Sequence, residues 1–263
     1  MTRLRDVVAI LVLGVTANII PSPARAQPVT PVPPVTDADR AAAFPEVEPH
    51  TMHDGALHAF VLVDQLEWHG GDTHQGPGWD STAWFGGDQN RLWLRTGGRA
   101  DSGRLHEAEA HVLYGRAFAR WWDVVAGVRQ DVRPGPAQSW LAIGVQGLAP
   151  YWFDIEATAY LGAGGQTAAR VEAEYELLLT NRLILQPLVE ANLFGTTDLE
   201  RGVAGGSGTV DTEFRLRYEI RRELAPYVGV GWHRRFGDTL RLAATPGEAL
   251  RGRRLLAGLR LWF

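Results

Sequence analysis

Most of this chain is built from segments in which apolar and polar residues alternate, and this alternation is the feature that most restricts its fold. In ARVEAEYELLL, residues 169–179, the charged side chains fall on one parity and most apolar side chains on the other. Successive side chains of a strand point to opposite sides, so the pattern predicts a β-strand with one polar and one apolar face. In a soluble sheet the apolar face forms the core, whereas in a membrane barrel it faces lipid and the charges line the interior.

The same pattern recurs from residue 56 onward, in segments of roughly 10 to 14 residues separated by Gly, Pro, Asn and Asp. We predict twelve strands, at residues 57–69, 78–86, 90–98, 104–117, 121–132, 138–148, 151–162, 168–180, 182–194, 209–222, 225–236 and 253–263. Short connections such as TN and RREL alternate with long ones such as GTTDLERGVAGGSG. Outer-membrane barrels have an even number of strands, short periplasmic turns and longer extracellular loops. The predicted fold is therefore all-β, a transmembrane antiparallel up-and-down β-barrel with this arrangement of turns and loops.

Two local features bear on this prediction. The last segment, LLAGLRLWF, ends on Phe263 with Leu255 and Leu259 on the same face. A terminal aromatic residue on an alternating strand is the pattern that the outer-membrane assembly machinery reads, so that machinery and outer-membrane lipid are expected partners. Pro187 lies inside a predicted strand and cannot donate a ladder hydrogen bond, so we expect a bulge or a local break in pairing there. A soluble β-sandwich is the alternative fold.

The amino-terminal segment has the layout of an export signal. Arg3 and Arg5 precede an apolar run at residues 7–17 that is too short to span a bilayer, and Ala-Arg-Ala at residues 24–26 fits a cleavage site. We predict a signal peptide at residues 1–26, a flexible Pro-rich periplasmic leader at 27–55 and an outer-membrane β-barrel at 56–263. The expected location is the cell outer membrane.

Composition excludes some classes of function. The formal net charge is −4, which gives no bias toward polyanions, and no nucleic-acid partner is expected. The chain has no cysteine, so structural disulfides and thiolate metal sites are both excluded.

If the apolar faces meet lipid, the polar faces line a water-filled or plugged lumen. We predict a cation pathway along this lumen, formed by Glu67, Asp154, Glu156, Glu172, Glu174, Glu176 and Glu190. The predicted hairpins place Glu156 and Glu190 near Glu172, and Asp154 near Glu174. Opposed like charges are destabilising unless countercharges or cations neutralise them, so this wall is expected to attract cations. The alternative is that inward arginines neutralise the carboxylates in a purely structural network.

Histidines suggest a transition-metal site, because imidazole suits copper, nickel or zinc and thioether favours Cu(I). The string HTMHDGALH lies just before the barrel, WHGGDTH is expected in the first extracellular loop, and Glu107, Glu109 and His111 share one strand face. The candidate metal ligands are His50, Met52, His53, His69, Glu107, Glu109 and His111. Flexible segments often carry a few histidines without binding metal, so the spacing alone leaves both interpretations open.

Longer strings carry a resemblance to a known family. LAPYWFDIEATAYLGAGGQTAARVEAEYELLLTNRLILQPLVEANLFG, RLRYEIRRELAPYVGVGW, RRFGDT, DQLEW, RLWLRTGG and the closing LRLWF are similar to the outer-membrane copper resistance protein B family. The resemblance implies a monomeric outer-membrane barrel that binds copper ions and helps to control their passage or sequestration, together with periplasmic copper-resistance proteins. Family members often carry Met- and His-rich repeats before the barrel. Here Met52 is the only methionine after Met1, so the leader suggests at most one small site.

Three classes of function follow. The leading hypothesis is a copper-handling barrel with an acidic lumen, in which copper is transported or bound and no catalytic cofactor is used. The second is a non-conducting structural or metal-binding barrel with an Arg–carboxylate plugged interior. An enzyme is the third and is not expected, because no serine forms a recognisable Ser-His pair with an activating base.

Overall fold

The computed structural model describes residues 33–43, 55–71, 75–237 and 251–263, with only the backbone for Glu200 and Arg251. The chain divides into two units, residues 1–52 and residues 53–263. The described part of the first unit is one short helix, α1 (Asp37–Ala43). Thr36 caps α1, because its Oγ1 accepts the Asp39 N–H and its own N–H donates to Asp39 Oδ2 at 2.9 Å. None of the described helices is long and apolar enough to cross a membrane.

The second unit is a β-sheet that closes on itself. Its strands are β1 (His58–Gly71), β2 (Gly76–Gly86), β3 (Asn90–Asp101), β4 (Arg104–Ala119), β5 (Trp122–Arg133), β6 (Gln138–Ala149), β7 (Phe153–Gly162), β8 (Thr167–Glu174), β9 (Leu177–Leu178), β10 (Leu183–Phe194), β11 (Ser207–Tyr218), β12 (Leu224–Phe236) and β13 (Arg251–Trp262). Each strand pairs antiparallel with its neighbours, and β1 pairs with β13 to close the ring. Because β8 and β9 pair with β10 in one register, they form a single barrel strand. The predicted all-β fold, a twelve-stranded up-and-down barrel, is confirmed.

The connections define two ends of the barrel. At the terminal end, where β1 begins and β13 ends, the turns are residues 87–89, 120–121, 150–152, 179–182 and 219–223. At the loop end, the connections are residues 72–75, 102–103, 134–137, 163–166, 195–206 and 237–250. The two longest connections follow strand ends at this end of the barrel, as predicted: residues 195–206 link β10 to β11, and residues 237–250 link β12 to β13. The tight turn at Ser102 and Gly103 is also at the loop end, and Gly103 supplies its left-handed φ of 77°.

The barrel has the inverse of the burial pattern of a soluble protein. Leu141 and Leu255 point outward and are 62% and 67% exposed, whereas Arg215 and Arg217 point inward and are each 1% exposed. Soluble proteins bury leucine and expose arginine. An apolar outer surface around a charged interior is the arrangement of a barrel whose outside contacts hydrocarbon. The polar face of the alternating segments is therefore the interior face.

One inner wall is packed as a small core. Leu113, Val125, Trp140, Ala142 and Tyr160, from β4 to β7, form a cluster of buried residues. Trp140 donates its Nε1–H to Asp131 Oδ2 at 2.8 Å, so the ring is fixed as well as buried. This cluster makes part of the β4–β7 wall apolar, and the same strands also turn charged residues such as Glu109 and Glu156 toward the lumen.

Two irregularities affect which residues point inward. In β1 the pairing with both neighbours shifts by one residue at Asp64, which is a β-bulge. The bulge lets Leu62, Asp64 and Gln65 all line the interior. Opposite Pro187 the strand is interrupted between β8 and β9 without a change of register, so the predicted irregularity is a local break in pairing and not a bulge.

Candidate functional site

Carboxylates from neighbouring strands face one another inside the barrel, as the hairpins predicted. Glu156 on β7 is opposite Glu172 on β8, and Asp154 is opposite Glu174. Glu172 is in turn opposite Glu190 on β10. Three acidic side chains therefore stand side by side on three adjacent strands, in an arrangement that needs countercharge, water or cations.

This arrangement continues around the barrel. Glu190 is opposite Asp211 on β11, and Asp211 is opposite His233 on β12. We call Glu156, Glu172, Glu190 and Asp211 the carboxylate row. Glu156 lies near the terminal end of its strand and Asp211 nearer the loop end of its own, because barrel strands are staggered relative to one another. The row therefore climbs along the inner wall from one end of the lumen toward the other.

The members of the row differ in their partners. Glu156 is held by Arg95, whose Nη2 lies 2.7 Å from its Oε1, and Asp211 is held by Arg254 at 2.9 Å and His233 at 3.0 Å. Glu190 accepts a hydrogen bond from Asn192 at 2.5 Å. Glu172 has no ion-pair partner among the described residues. The charges that act on it most strongly are those of other carboxylates, on Glu190, Glu156 and Asp80.

Glu172 is one of four carboxylates on the strands without an ion pair in the described part of the chain. The others are Asp80 on β2, Asp154 on β7 and Glu174 on β8, and all four line the same cavity. An unpaired carboxyl group in a barrel stays ionised only where water or a cation solvates it. Because all four line this cavity, it is the part of the interior in which we expect water or cations.

That cavity has a volume of about 1060 Å³ and is strongly acidic. Six arginines from the described residues line it, against fourteen carboxylates. The carboxylates are Asp64, Asp80, Asp88, Glu107, Glu109, Asp123, Asp154, Glu156, Glu172, Glu174, Glu176, Glu190, Asp211 and Glu213. Four described arginines that do not line the cavity, Arg95, Arg129, Arg215 and Arg217, bond to carboxylates that do. Even with these four, negative charge is in excess. Turn residues such as Trp121 line the cavity, so its mouth lies at the terminal end.

A second cavity of about 270 Å³ lies nearer the loop end and has a different charge. Its described lining holds seven arginines and six carboxylates, so it carries no acidic excess. Seven of the residues that the structure describes line both cavities, and we call them the collar. The collar consists of His69, Arg99, Glu107, Arg170, Glu190, Asp211 and Arg254.

The predicted metal ligands on β4 share a face but do not converge on an open site. Glu109 lies 3.2 Å from His111, and it also binds Arg129 at 2.6 Å and both terminal nitrogens of Arg170 at 2.5 and 3.0 Å. Glu107 is bound by Arg99 at 3.0 Å. Guanidinium groups thus occupy the carboxylate oxygens that a metal ion would need. Within the described ranges, no group of three or more His, Asp or Glu side chains is arranged to hold a metal ion.

Of the seven residues predicted to form a cation pathway, Glu67 is the one that does not line the larger cavity. Its carboxylate is buried against His69 at 2.8 Å, the Tyr227 hydroxyl at 2.7 Å and Arg215 at 3.5 Å. Its strand parity is inward as predicted, but these three side chains cover it. The other six predicted pathway residues, Asp154, Glu156, Glu172, Glu174, Glu176 and Glu190, do line the cavity.

The remaining predicted ligands, His50, Met52 and His53, lie outside the described residues. Conversely, the sequence predictions missed several interior charges. Asp80, Arg95, Arg99 and Arg254 have inward parity but lie in segments from which no interior residue was predicted. Asp64 could not be found by parity, because the bulge in β1 brings it inward.

The fold and interior define a class of protein, a closed β-barrel of the porin type with a charged, water-accessible lumen. The solved structure of the NanC porin has the same fold, with a TM-score of 0.52 and 10% identity, and the match covers 78% of this chain and 99% of that porin. At this identity the likeness establishes the fold alone.

Sequence comparison identifies the protein family within this class. Residues 57–263 match the family model described as copper resistance protein B precursor (CopB). The chain is 49% identical to copper resistance protein B of Escherichia coli over 236 residues, which cover 89% of this chain and 79% of that protein. It is also 49% identical to the copper resistance protein B homolog of Pseudomonas syringae pv. tomato (strain ATCC BAA-871 / DC3000), over 92% of this chain and 82% of that homolog. This protein belongs to the copper resistance protein B family.

Proposed function

We propose that this protein is an outer-membrane barrel of a copper resistance or homeostasis system, which binds copper ions and facilitates their passage or sequestration through its acidic lumen. The observation that carries the proposal is the 1060 Å³ cavity, with fourteen carboxylates against six arginines in its described lining. A cleft lined by one sign of charge concentrates counterions. Membership of the copper resistance protein B family supports copper as the cation in this proposal.

The outer-membrane location is supported by the apolar outer surface and by the segment with signal-peptide layout at residues 1–26. Trp68 and Trp232 are exposed near the loop end, and Tyr114 and Phe153 are exposed near the terminal end. Aromatic residues in two bands are typical of the two membrane interfaces. Outer-membrane lipid, the outer-membrane assembly machinery and periplasmic copper-resistance proteins are the proposed partners, and the proposed functional form is a monomer.

The proposed mode of action is weak binding at successive carboxylates. Conduction requires sites that attract the ion but release it readily. Glu172, Glu174 and Asp154 offer single carboxylates without arginine partners among the described residues, and a hydrated Cu²⁺ ion would exchange between them. Because no described group of three donors forms a chelate, tight trapping within the strands is not part of the proposal.

Copper flux into proteoliposomes tests the proposal. The double substitution Glu172→Gln and Glu174→Gln removes two unpaired charges while retaining side-chain size, and we expect it to lower the rate of copper entry severalfold. Glu223→Gln is the matched control, because Glu223 is exposed in the β11–β12 turn and does not line the cavity. Flux that is equal in all three proteins would contradict a conducting lumen.

A second candidate function is a non-conducting barrel that binds metal only through its leader or loops. The observation that favours it is the interior ion-pair network, since Arg215 and Arg217 are almost fully buried among carboxylates. Deleting residues 27–55 separates the two candidates. Copper bound at equilibrium, measured by dialysis of the purified protein against Cu²⁺, should persist after the deletion if the lumen binds copper, and should disappear if the leader is the binding segment. Neither candidate involves catalysis.

A further inference from the structure

The collar is chemically unlike the cavity that it borders. Its three arginines come from β3, β8 and β13, so they approach the lumen from three well-separated directions. Its three carboxylates, Glu107, Glu190 and Asp211, balance them. A cation crossing the lumen therefore passes from an acidic cavity through a charge-balanced level.

Each arginine of the collar is held in place by a carboxylate. Arg99 binds Glu107 at 3.0 Å, and Arg254 binds Asp211 at 2.9 Å. Arg170 forms a two-pronged bond to Glu109 on β4, four strands away, and its Nε donates to Asn192 at 3.0 Å. A guanidinium fixed by paired bonds keeps its charge at a defined position instead of swinging into the wide cavity.

We propose that the three collar arginines, Arg99, Arg170 and Arg254, determine the ion selectivity of the lumen by setting the charge at the level between the two cavities. This inference deepens the proposed function, because it names the residues that limit which ions pass. Rings of charged side chains set selectivity in other pores. A charge at the level that both cavities share acts on every ion that crosses between them, whereas a charge elsewhere in the larger cavity can be passed at a greater distance.

Reversal potentials in planar lipid bilayers under a KCl gradient measure this selectivity without copper. Arg99→Gln is the leading variant, since Arg99 is the most exposed of the three and its replacement disturbs the fewest bonds. We expect the cation-to-anion permeability ratio to rise roughly sixteenfold, because removing one unit charge about 5 Å from the path in a water-filled lumen favours the cation about fourfold and disfavours the anion about fourfold. Arg170→Gln and Arg254→Gln should shift the ratio in the same direction.

Two further variants separate charge from mere loosening of the structure. Glu190→Gln removes a negative charge at the same level, so it should lower the ratio where the arginine variants raise it. Arg91→Gln removes a positive charge from the larger cavity only, and it should produce a smaller shift. If the substitutions only loosened the barrel, total conductance would rise in every variant. The cation-to-anion permeability ratio would then not shift in opposite directions.

Shifts of equal sign in Arg99→Gln and Glu190→Gln, or no shift in either, would overturn the proposal. If the wild-type barrel does not conduct KCl, a triple arginine-to-glutamine variant that conducts supports the collar as the barrier, and one that stays closed refutes it. Copper flux through wild-type proteoliposomes tests the proposed function separately. A protein that passes copper but shows no effect of the collar substitutions would retain its proposed function and lose this inference.

Discussion

At the scale of the residue, the interior carboxylates are of two kinds. Glu109 is in contact with Arg129, Arg170 and His111, so its charge is compensated by direct bonds. Glu172, on the same level of the sheet as other acids, has none of these among the described residues. An uncompensated charge persists only where solvent or cations reach it. Whether an interior acid is structural or solvent-facing therefore depends on whether an arginine side chain can contact it. The alternation of the strand does not decide this.

A substitution at Tyr227 tests how much a compensated, structural carboxylate contributes to stability. Its hydroxyl donates to Glu67 at 2.7 Å, in a cluster where both residues are buried. Tyr227→Phe removes this hydrogen bond to a charged acceptor, and we expect the free energy of unfolding to fall by about 2 kcal/mol. The measurement is urea-induced unfolding of the barrel in lipid vesicles.

Tyr114→Phe is the matched control for that measurement. The Tyr114 hydroxyl donates to Asn90 at 2.6 Å, but the side chain is 54% exposed. We expect a change below about 0.5 kcal/mol, as for most exposed substitutions. Equal losses in the two variants would show that burial of Glu67 adds nothing to the hydrogen bond.

At the scale of the element, alternation predicts the strands but not their irregularities. All twelve predicted strands are present, and most of their ends differ from the prediction by a few residues or less. The bulge in β1 escaped prediction because VLVDQLEW contains no Gly or Pro to mark it. Its physical reason is visible only in the closed barrel, where Asp64 reaches Arg260 on β13 at 2.7 Å. A partner distant in sequence, and not local propensity, stabilises this irregularity.

Pro187 is an irregularity that the sequence does reveal. The Tyr175 N–H donates to the Pro187 carbonyl at 3.1 Å, but proline has no N–H with which to return the bond. Pro187→Val supplies the missing donor in a strand whose register is already aligned. We expect the free energy of unfolding to rise by about 1 kcal/mol, the usual net value of one hydrogen bond.

Urea-induced unfolding in lipid vesicles measures this gain in stability. Leu185→Val is the control, because Leu185 is a neighbouring, regularly paired position on the same face. The control should change stability little or lower it slightly. A loss of stability in Pro187→Val would mean that the break between β8 and β9 relieves strain in the barrel wall.

At the scale of the whole molecule, the fold and the strand pairing could be predicted, whereas most ion-pair partners could not. The pairing of Glu156, Glu172 and Glu190 follows from hairpin connections that are local in sequence. Arg95 instead bonds to Glu156, and Arg170 to Glu109, each across a sequence separation of 61 residues. A long side chain inside a closed ring can reach carboxylates several strands away, so barrel closure decides its partner. The charges that line the two cavities and the collar depend on which carboxylate each arginine binds. They could therefore not be predicted from the alternation of apolar and polar residues.

Donor chemistry over the whole barrel makes a prediction about the oxidation state of copper. The chain has no cysteine, and its two methionines, Met1 and Met52, both precede β1. The barrel therefore offers only oxygen and nitrogen donors, which suit Cu(II), whereas Cu(I) and its analogue Ag(I) prefer sulfur. A divalent ion also gains twice the Coulomb energy of a monovalent ion at each carboxylate.

Uptake into proteoliposomes is measured at ion concentrations that leave the lumen sites mostly empty. We expect the uptake of Cu(II) to exceed that of Ag(I) by about fourfold or more. This is the factor for one additional unit charge about 5 Å from a carboxylate in water. Glu172→Met replaces an unpaired oxygen donor with a thioether at the centre of the carboxylate row, so it should reduce the Cu(II) rate and increase the Ag(I) rate. Glu223→Met adds the same thioether outside the lumen and should alter neither. Equal uptake of the two ions by the wild-type barrel would show that the lumen does not select by donor type or by ionic charge.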